Sequence, residues 1–209
     1  MSLCKVIDNA FDQKYLWEFY QNHIFDLGYK FTNIANRKTV PYGNTGSHKL
    51  LGETIFSRSG INEIKGFNSK HFPAYYSQFC MLEEIIKQRY YLSQISVNLQ
   101  THGIDGTCHS DAPKGSDDEY TIMVFSSMDW KPEWGGQFQM LEYHDDDAPV
   151  IEEYEYIPGR IIIIPSQHPH RGLSPTYKYA YRTSIVYRVT SNFKKHLPIA
   201  NKYKISYNN

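Results

Sequence analysis

Beyond Leu92 the sequence breaks into short apolar stretches separated by turn residues at close, regular intervals, and that rhythm restricts the chain to an antiparallel β architecture. Candidate strands are residues 94–100, 107–111, 121–126, 136–141, 153–157, 160–164, 170–172 and 183–189. The turns between them hold Pro113-Lys114-Gly115, Glu133-Trp134-Gly135-Gly136, His144-Asp145-Asp146-Asp147 and Pro158-Gly159. Such residues fix φ or accept the left-handed backbone of a tight turn. Eight strands of this length suit two sheets packed as a jelly roll. Eighteen Tyr and eleven Phe fit the same architecture, since aromatic rings pack well on a pleated surface.

The N-terminal part has a different pattern. Val6-Ile7 reads as a short strand, and residues 12–27 place Leu16, Phe19, Tyr20, His23, Ile24 and Leu27 at helical spacing before Gly28. A second helix is predicted over residues 74–90, with Phe79, Leu82, Ile85, Ile86 and Tyr90 on one face. Between them, residues 37–69 are polar and rich in Gly, Asn and Ser, which predicts loops with short strands; the region 37–72 is a candidate cover over a site. The expected organisation is a single domain, residues 1–209, mainly β with flanking helices. Residues 1–92 support the sheet, 93–190 form the core, and 191–209 are a C-terminal extension.

Bulk properties exclude little. A formal net charge of zero gives no global attraction to nucleic acid or an anionic membrane, and neither partner is expected. Three cysteines, Cys4, Cys80 and Cys108, form no CxxC pair and point to a reducing compartment, so the expectation is a cytoplasmic protein. The N-terminus has no basic stretch followed by an apolar core, and no apolar run approaches the ~20 residues that span a bilayer. Cys108 sits beside His109, where a small strand filler is the expected role rather than a metal ligand.

The chemistry concentrates in four residues. His109 and Asp111 stand two apart, His170 follows, and Arg182 lies twelve positions further on. Two imidazoles and one carboxylate on one face of a ferrous ion leave the opposite positions open to other ligands. A guanidinium nearby can hold a carboxylate by two parallel hydrogen bonds. An HxD tripeptide alone carries little information, as His144-Asp145-Asp146 shows; that second copy reads as a solvated acidic hairpin tip. His168 and His170 compete for the distal ligand position because residues two apart share a strand face. Pro169 constrains His168 toward an extended lead-in, which favours His170.

Several ordered motifs carry a resemblance. Gly103 precedes His109-x-Asp111, and residues 120–125 lead into Trp130-Lys131-Pro132-Glu133-Trp134-Gly135-Gly136-Gln137-Phe138. Pro158-Gly159-Arg160 opens a run of four isoleucines, followed by Pro169-His170-Arg171-Gly172 and Arg182-Thr183-Ser184. From about residue 94 to 189 the chain resembles the catalytic core of the iron(II)/2-oxoglutarate-dependent oxygenases, in the prolyl 4-hydroxylase-like branch with its small bacterial and phage members. The resemblance implies a double-stranded β-helix, a cupin-like jelly roll. It implies Fe(II), the cosubstrate 2-oxoglutarate and O2, with ascorbate as an accessory reductant. It makes His109, Asp111 and His170 both metal ligands and catalytic centre, and gives Arg182 and Ser184 the distal carboxylate of 2-oxoglutarate. Many relatives carry a tyrosine where this chain has Gln100, so Thr121 or Asn98 is the candidate for the missing hydrogen bond. Arg188 and Arg171 are alternatives to Arg182.

The implied reaction is hydroxylation of an unactivated C–H bond in a prolyl residue or a small metabolite, at a site framed by Trp130, Trp134 and tyrosines. Two other readings stay open. A non-oxidative cupin-type metalloenzyme could use the same ligands around zinc or manganese. A non-catalytic jelly roll could bind a partner without chemistry.

Overall fold

Strand alternation sorts the apolar residues of one large sheet onto two faces in the computed structural model, which describes residues 2–31, 50–59, 63–65 and 69–192. In chain order the elements are β1 (Lys5–Ile7), α1 (Gln13–Phe19) continued by a π-helical turn (Tyr20–Ile24), β2 (Lys30–Phe31), β3 (Leu51–Ser59) and β4 (Glu63–Lys65). There follow α2 (Phe72–Ile86), β5 (Tyr91–Thr101), β6 (Glu119–Phe125), a 3-10 turn (Pro132–Trp134), β7 (Phe138–Leu141), β8 (Val150–Tyr154), β9 (Ile161–Pro165), β10 (His170–Gly172) and β11 (Tyr181–Thr190). The large sheet runs β1-β9-β6-β11-β5-β3-β2, with β4 on β3; the small one runs β10-β7-β8. Every described pairing is antiparallel.

The four isoleucines of β9 show how the two faces are used. Ile161 and Ile163 pack on the helix side with Leu16, Phe79, Ile122, Val124 and Tyr187. Ile162 and Ile164 pack between the sheets with Met123, Phe125, Phe138 and Met140. A strand buried on both faces has no polar positions to alternate with, so it reads as an unbroken apolar run. Each such side chain contributes about 1.5–3 kcal/mol of burial.

The helices close the outer face. Asp12 caps α1 by accepting from the Lys14 and Tyr15 amides, at 2.9 and 3.2 Å. The regular helix expected over 12–27 gives way at Tyr20 to a π-helical turn ending at Ile24. The second helix stops at Ile86 rather than Tyr90, because Lys87 adopts a left-handed conformation and Glu83 captures the Tyr90 amide at 2.6 Å.

Two strand expectations change. Residues 107–111 form no strand: His109 makes one isolated bridge to His170, and the Asp111 and Ala112 amides donate to Ser166 O. Conversely, β3 is a nine-residue strand paired along β5 where loops with short strands were expected. It runs near the sheet margin with Gly52, Glu53 and Thr54 bordering a cavity, so its composition reads as polar. The rest of the candidate cover, residues 32–49, 60–62 and 66–68, lies outside the described residues, as does most of the C-terminal extension, residues 193–209. No described helix is long and apolar enough to cross a membrane.

Candidate active site

His109, Asp111 and His170 converge at one end of β10. The bridge between His109 and His170 closes with two backbone hydrogen bonds, 3.0 and 2.9 Å, which fixes the two imidazoles side by side with ring centroids 4.5 Å apart. The Asp111 amide, held by Ser166 O at 2.8 Å, turns the carboxylate back toward them. Ligand atoms of the three residues all lie within 4.8 Å of one another. His109 Nε2 stands 3.9 Å from Asp111 Oδ1, and His170 Nε2 stands 3.6 Å from Oδ2.

The donor chemistry fits a divalent cation. Each histidine places Nδ1 2.8 Å from a backbone carbonyl, Thr107 O for His109 and His168 O for His170. A carbonyl only accepts, so the proton sits on Nδ1 and the Nε2 lone pair points inward. Burial pushes the His170 imidazole down to about 4, which keeps it neutral as a ligand must be. Burial by itself would raise the Asp111 carboxyl, but Arg188, the two histidines and the Thr121 hydroxyl outweigh it and hold the group well below the usual carboxylate range. Neighbouring ligands around an ion with bonds of about 2.1 Å lie roughly 3 Å apart, so shifts under about an ångström close this set on a metal.

Alternation on β11 places a row of side chains beside the triad. Arg182, Ser184, Val186 and Arg188 face a cavity of about 230 Å³, opposite Gln94, Ser96, Asn98 and Gln100 of β5. Arg182 is only 3% exposed. Its Nε donates to Gly136 O and its Nη1 to Gln100 Oε1, both at 2.8 Å. The guanidinium also lies over the rings of Phe125 and Tyr156, at 5.3 and 5.2 Å from the centroids. Burial lowers its pKa to about 10, still cationic at neutral pH. Among the described residues no carboxylate forms an ion pair with it. A buried cation without an anion is costly to keep, and a bound carboxylate relieves that cost.

Every sequence-derived site residue borders this cavity: His109, Asp111, His170, Arg182, Ser184, Asn98 and Thr121. Thr121 serves the triad directly, since its hydroxyl donates to Asp111 Oδ2 at 2.7 Å and pairs with Ser166 Oγ at 2.9 Å. Gln100 does more than replace a tyrosine: its Nε2 donates to Gly172 O at 2.9 Å while its Oε1 anchors Arg182. Tyr156 escaped the sequence reading; its hydroxyl takes the Ser127 amide at 2.7 Å and donates to Thr183 O, setting the ring under Arg182. Nothing in the local sequence of either residue signals a partner so far along the chain.

Other expectations are corrected. Trp130 is buried among Tyr156 and Gly136, and Trp134 stacks on Tyr177, so neither borders the cavity. The segment His144-Asp145-Asp146 is no solvated tip. Asp146 accepts the Cys108 amide at 2.6 Å, its carbonyl takes Arg171, and His144 meets Ser110 Oγ, so this turn buttresses the triad loop. Arg171, thus engaged and also bound to Gln139 Oε1, lies away from the cavity. Cys108 is buried, its thiol pushed up to about 11 by burial.

No family model and no curated protein matches the sequence. Solved structures do. An oxidoreductase of the 2OG-Fe(II) oxygenase family from Burkholderia pseudomallei superposes with a TM-score of 0.64 at 16% identity, covering 91% of this chain and 86% of its own. The fold is that of the 2OG-Fe(II) oxygenases. A Trichoplax adhaerens prolyl hydroxylase, solved with a hypoxia-inducible-factor peptide, gives 0.61 at 14% identity over 93% of this chain and 86% of that one. A Pseudomonas putida prolyl-4-hydroxylase gives 0.54 at 11% identity over 90% and 92%. The jelly-roll core expected from the sequence is thus the observed one.

Proposed function

We propose that this protein is a non-haem Fe(II)- and 2-oxoglutarate-dependent dioxygenase that hydroxylates an unactivated C–H bond. The observation that carries the reading is the pairing, within one cavity, of a His-Asp-His ligand set with the buried Arg182, which no carboxylate among the described residues neutralises. His109, Asp111 and His170 would hold the metal. Iron with 2-oxoglutarate and O2 supplies the oxidation, one oxygen atom going to the substrate and one to succinate, with CO2 released.

The chain's own task is placement. Arg182, held by Gly136 and Gln100, presents its outer N–H edge to the distal carboxylate, and Ser184 and Asn98 line the path from there to the triad. Thr121 and the carbonyls of residues 107 and 168 fix the orientation of the ligands. No side chain has to act as a general base. The substrate reading spans a peptide, as the Trichoplax hydroxylase was solved with one, and a small metabolite. The protein is taken to act in the cytoplasm without a nucleic-acid or membrane partner.

The test is anaerobic titration of the metal-free protein with ferrous iron and then 2-oxoglutarate, followed by visible absorption. A charge-transfer band that appears with 2-oxoglutarate and is lost in Asp111→Ala supports the reading. Tight metal binding without the band favours a non-oxidative metalloenzyme, and no metal binding favours a binding module.

A further inference from the structure

Arg188 is the second guanidinium on the cavity face of β11. It lies six positions beyond Arg182, which puts their Cα atoms about 20 Å apart along the strand. The triad lies between them: Gly172, two residues past His170, abuts the Arg182 guanidinium, whereas Arg188 reaches Asp111 from the other side. Opposite Arg188 in the ladders stand Gln94 of β5 and Thr121 of β6. Two features of Arg188 stand out. Its Nη2 ion-pairs with Asp111 Oδ1, the oxygen a metal would compete for. Its Nε is buried without a hydrogen-bond partner among the described residues, while the side chain as a whole keeps 31% of its surface exposed.

Charge counting sharpens the point. Among the described residues, the charged ones bordering the cavity are Asp111, Arg182, Arg188 and Glu53, with the histidines neutral as ligands. Glu53 stands opposite core residue Val97, which directs its side chain to the other face of the sheet. A divalent metal and a dianionic cosubstrate cancel each other, and Asp111 cancels one arginine. One positive charge remains, and with Asp111 drawn to the metal and Arg182 serving the cosubstrate it belongs to Arg188. The wall mixes neutral polar side chains, Thr54, Gln94, Ser96 and Asn98, with the apolar Leu50, Met123, Phe138 and Val186. The cavity, about 230 Å³ among the described residues, lies below the roughly 300–1,000 Å³ usual for drug-sized ligands.

We infer, on the dioxygenase reading above, that Arg188 determines specificity and that the primary substrate is a small polar acid, an amino or hydroxy acid, whose carboxylate Arg188 grips on the side of the triad away from Arg182. The neutral polar side chains of Thr54, Gln94 and Ser96 meet its amino or hydroxyl groups. The target C–H bond then lies a bond or two from a fixed carboxylate, next to the metal.

The probe set is the common amino acids and their 2-hydroxy analogues, each paired with its amide, offered to protein loaded with Fe(II) and 2-oxoglutarate. At least one acid stimulates 2-oxoglutarate consumption and shifts the charge-transfer band anaerobically, and its amide is at least 30-fold poorer in kcat/KM. Arg188→Gln raises KM for that acid at least 30-fold and abolishes the anaerobic band shift, and Arg188→Lys recovers part of both. Acids and amides acting alike overturn the proposal, as does a set in which nothing stimulates. An Arg188→Gln protein that loses 2-oxoglutarate affinity as severely as Arg182→Gln assigns the residue to the cosubstrate, and one that loses iron affinity assigns it to Asp111; either result also overturns it. The dioxygenase reading fails separately, by absence of the charge-transfer band in the unaltered protein.

Discussion

Gly172→Ala tests whether Arg182 holds the cosubstrate carboxylate, because it perturbs that guanidinium through a single added methyl. A Cβ at position 172 would lie 3.0 Å from Cζ, Nη1 and Nη2 of Arg182. Favourable carbon contacts begin near about 3.5 Å, so the guanidinium must retreat by roughly half an ångström. It has little room, being tied at 2.8 Å to both Gly136 O and Gln100 Oε1 and lying over two rings. Retreat stretches those bonds and moves the outer N–H edge off the axis a carboxylate needs. Losing one charge-assisted hydrogen bond of about 1.5–3 kcal/mol weakens 2-oxoglutarate binding roughly 10- to 150-fold. Overpacking should also lower stability by about 1–3 kcal/mol. Iron affinity should change only a few-fold, since the three atoms nearest the new methyl all belong to Arg182. Gly28→Ala, where nothing lies within 4 Å, controls for a general effect of the substitution. The assay is the anaerobic absorption titration, with thermal melting alongside. A variant that melts lower yet binds 2-oxoglutarate within threefold of the unaltered protein would refute the placement of the carboxylate at Arg182.

Three further outcomes follow from the geometry. Thr121→Val removes the hydroxyl that orients Asp111 and should weaken iron binding about 10- to 100-fold, measured by competition with a chelating dye. His109→Ala and Asp111→Ala should abolish iron-dependent turnover, whereas His168→Ala should retain most of it, because His168 contributes its backbone carbonyl and that survives the substitution. Tyr156→Phe strips the partner from the buried Ser127 amide and should cost about 1–3 kcal/mol in urea unfolding, with a smaller loss of 2-oxoglutarate affinity as the ring under Arg182 loosens.

What the sequence made legible was whatever local periodicity encodes. β9 announced itself because both of its faces are buried, and β11 because Ile185, Tyr187 and Val189 alternate with Ser184, Val186 and Arg188. The same logic misread residues 107–111, where alternation reflects side chains converging on the cavity rather than a ladder. It missed the length of β3 because strand residues bordering a polar cavity look like loop. The partner of Gln100 and the role of Tyr156 were invisible for another reason: the first meets Arg182 across 82 positions, the second meets Thr183 across 27, and only folding sets those distances. The spacing of His109, Asp111, His170 and Arg182 survived as a signal because the bridge between His109 and His170 and the alternation of β11 fix their relative places in the fold.

The two arginines of β11 explain how such a site can exist before any metal arrives. A carboxylate as buried as Asp111, left alone, would cost several kcal/mol or take up a proton, and a protonated carboxyl is a poor ligand. Arg188 supplies the counter-charge through Asp111 Oδ1, so the carboxylate stays ionised and the triad preformed. The Arg188 contact is separate from those that set the histidine tautomers, which are made by the Thr107 and His168 carbonyls. Arg182 is bound at two nitrogens and flanked by rings. On the proposed reading, one strand carries a cation held for a constant cosubstrate and a second that would exchange the Asp111 carboxylate for that of the substrate. Strand alternation accounts for both, since residues 182 and 188 differ by an even number and must face the same cavity.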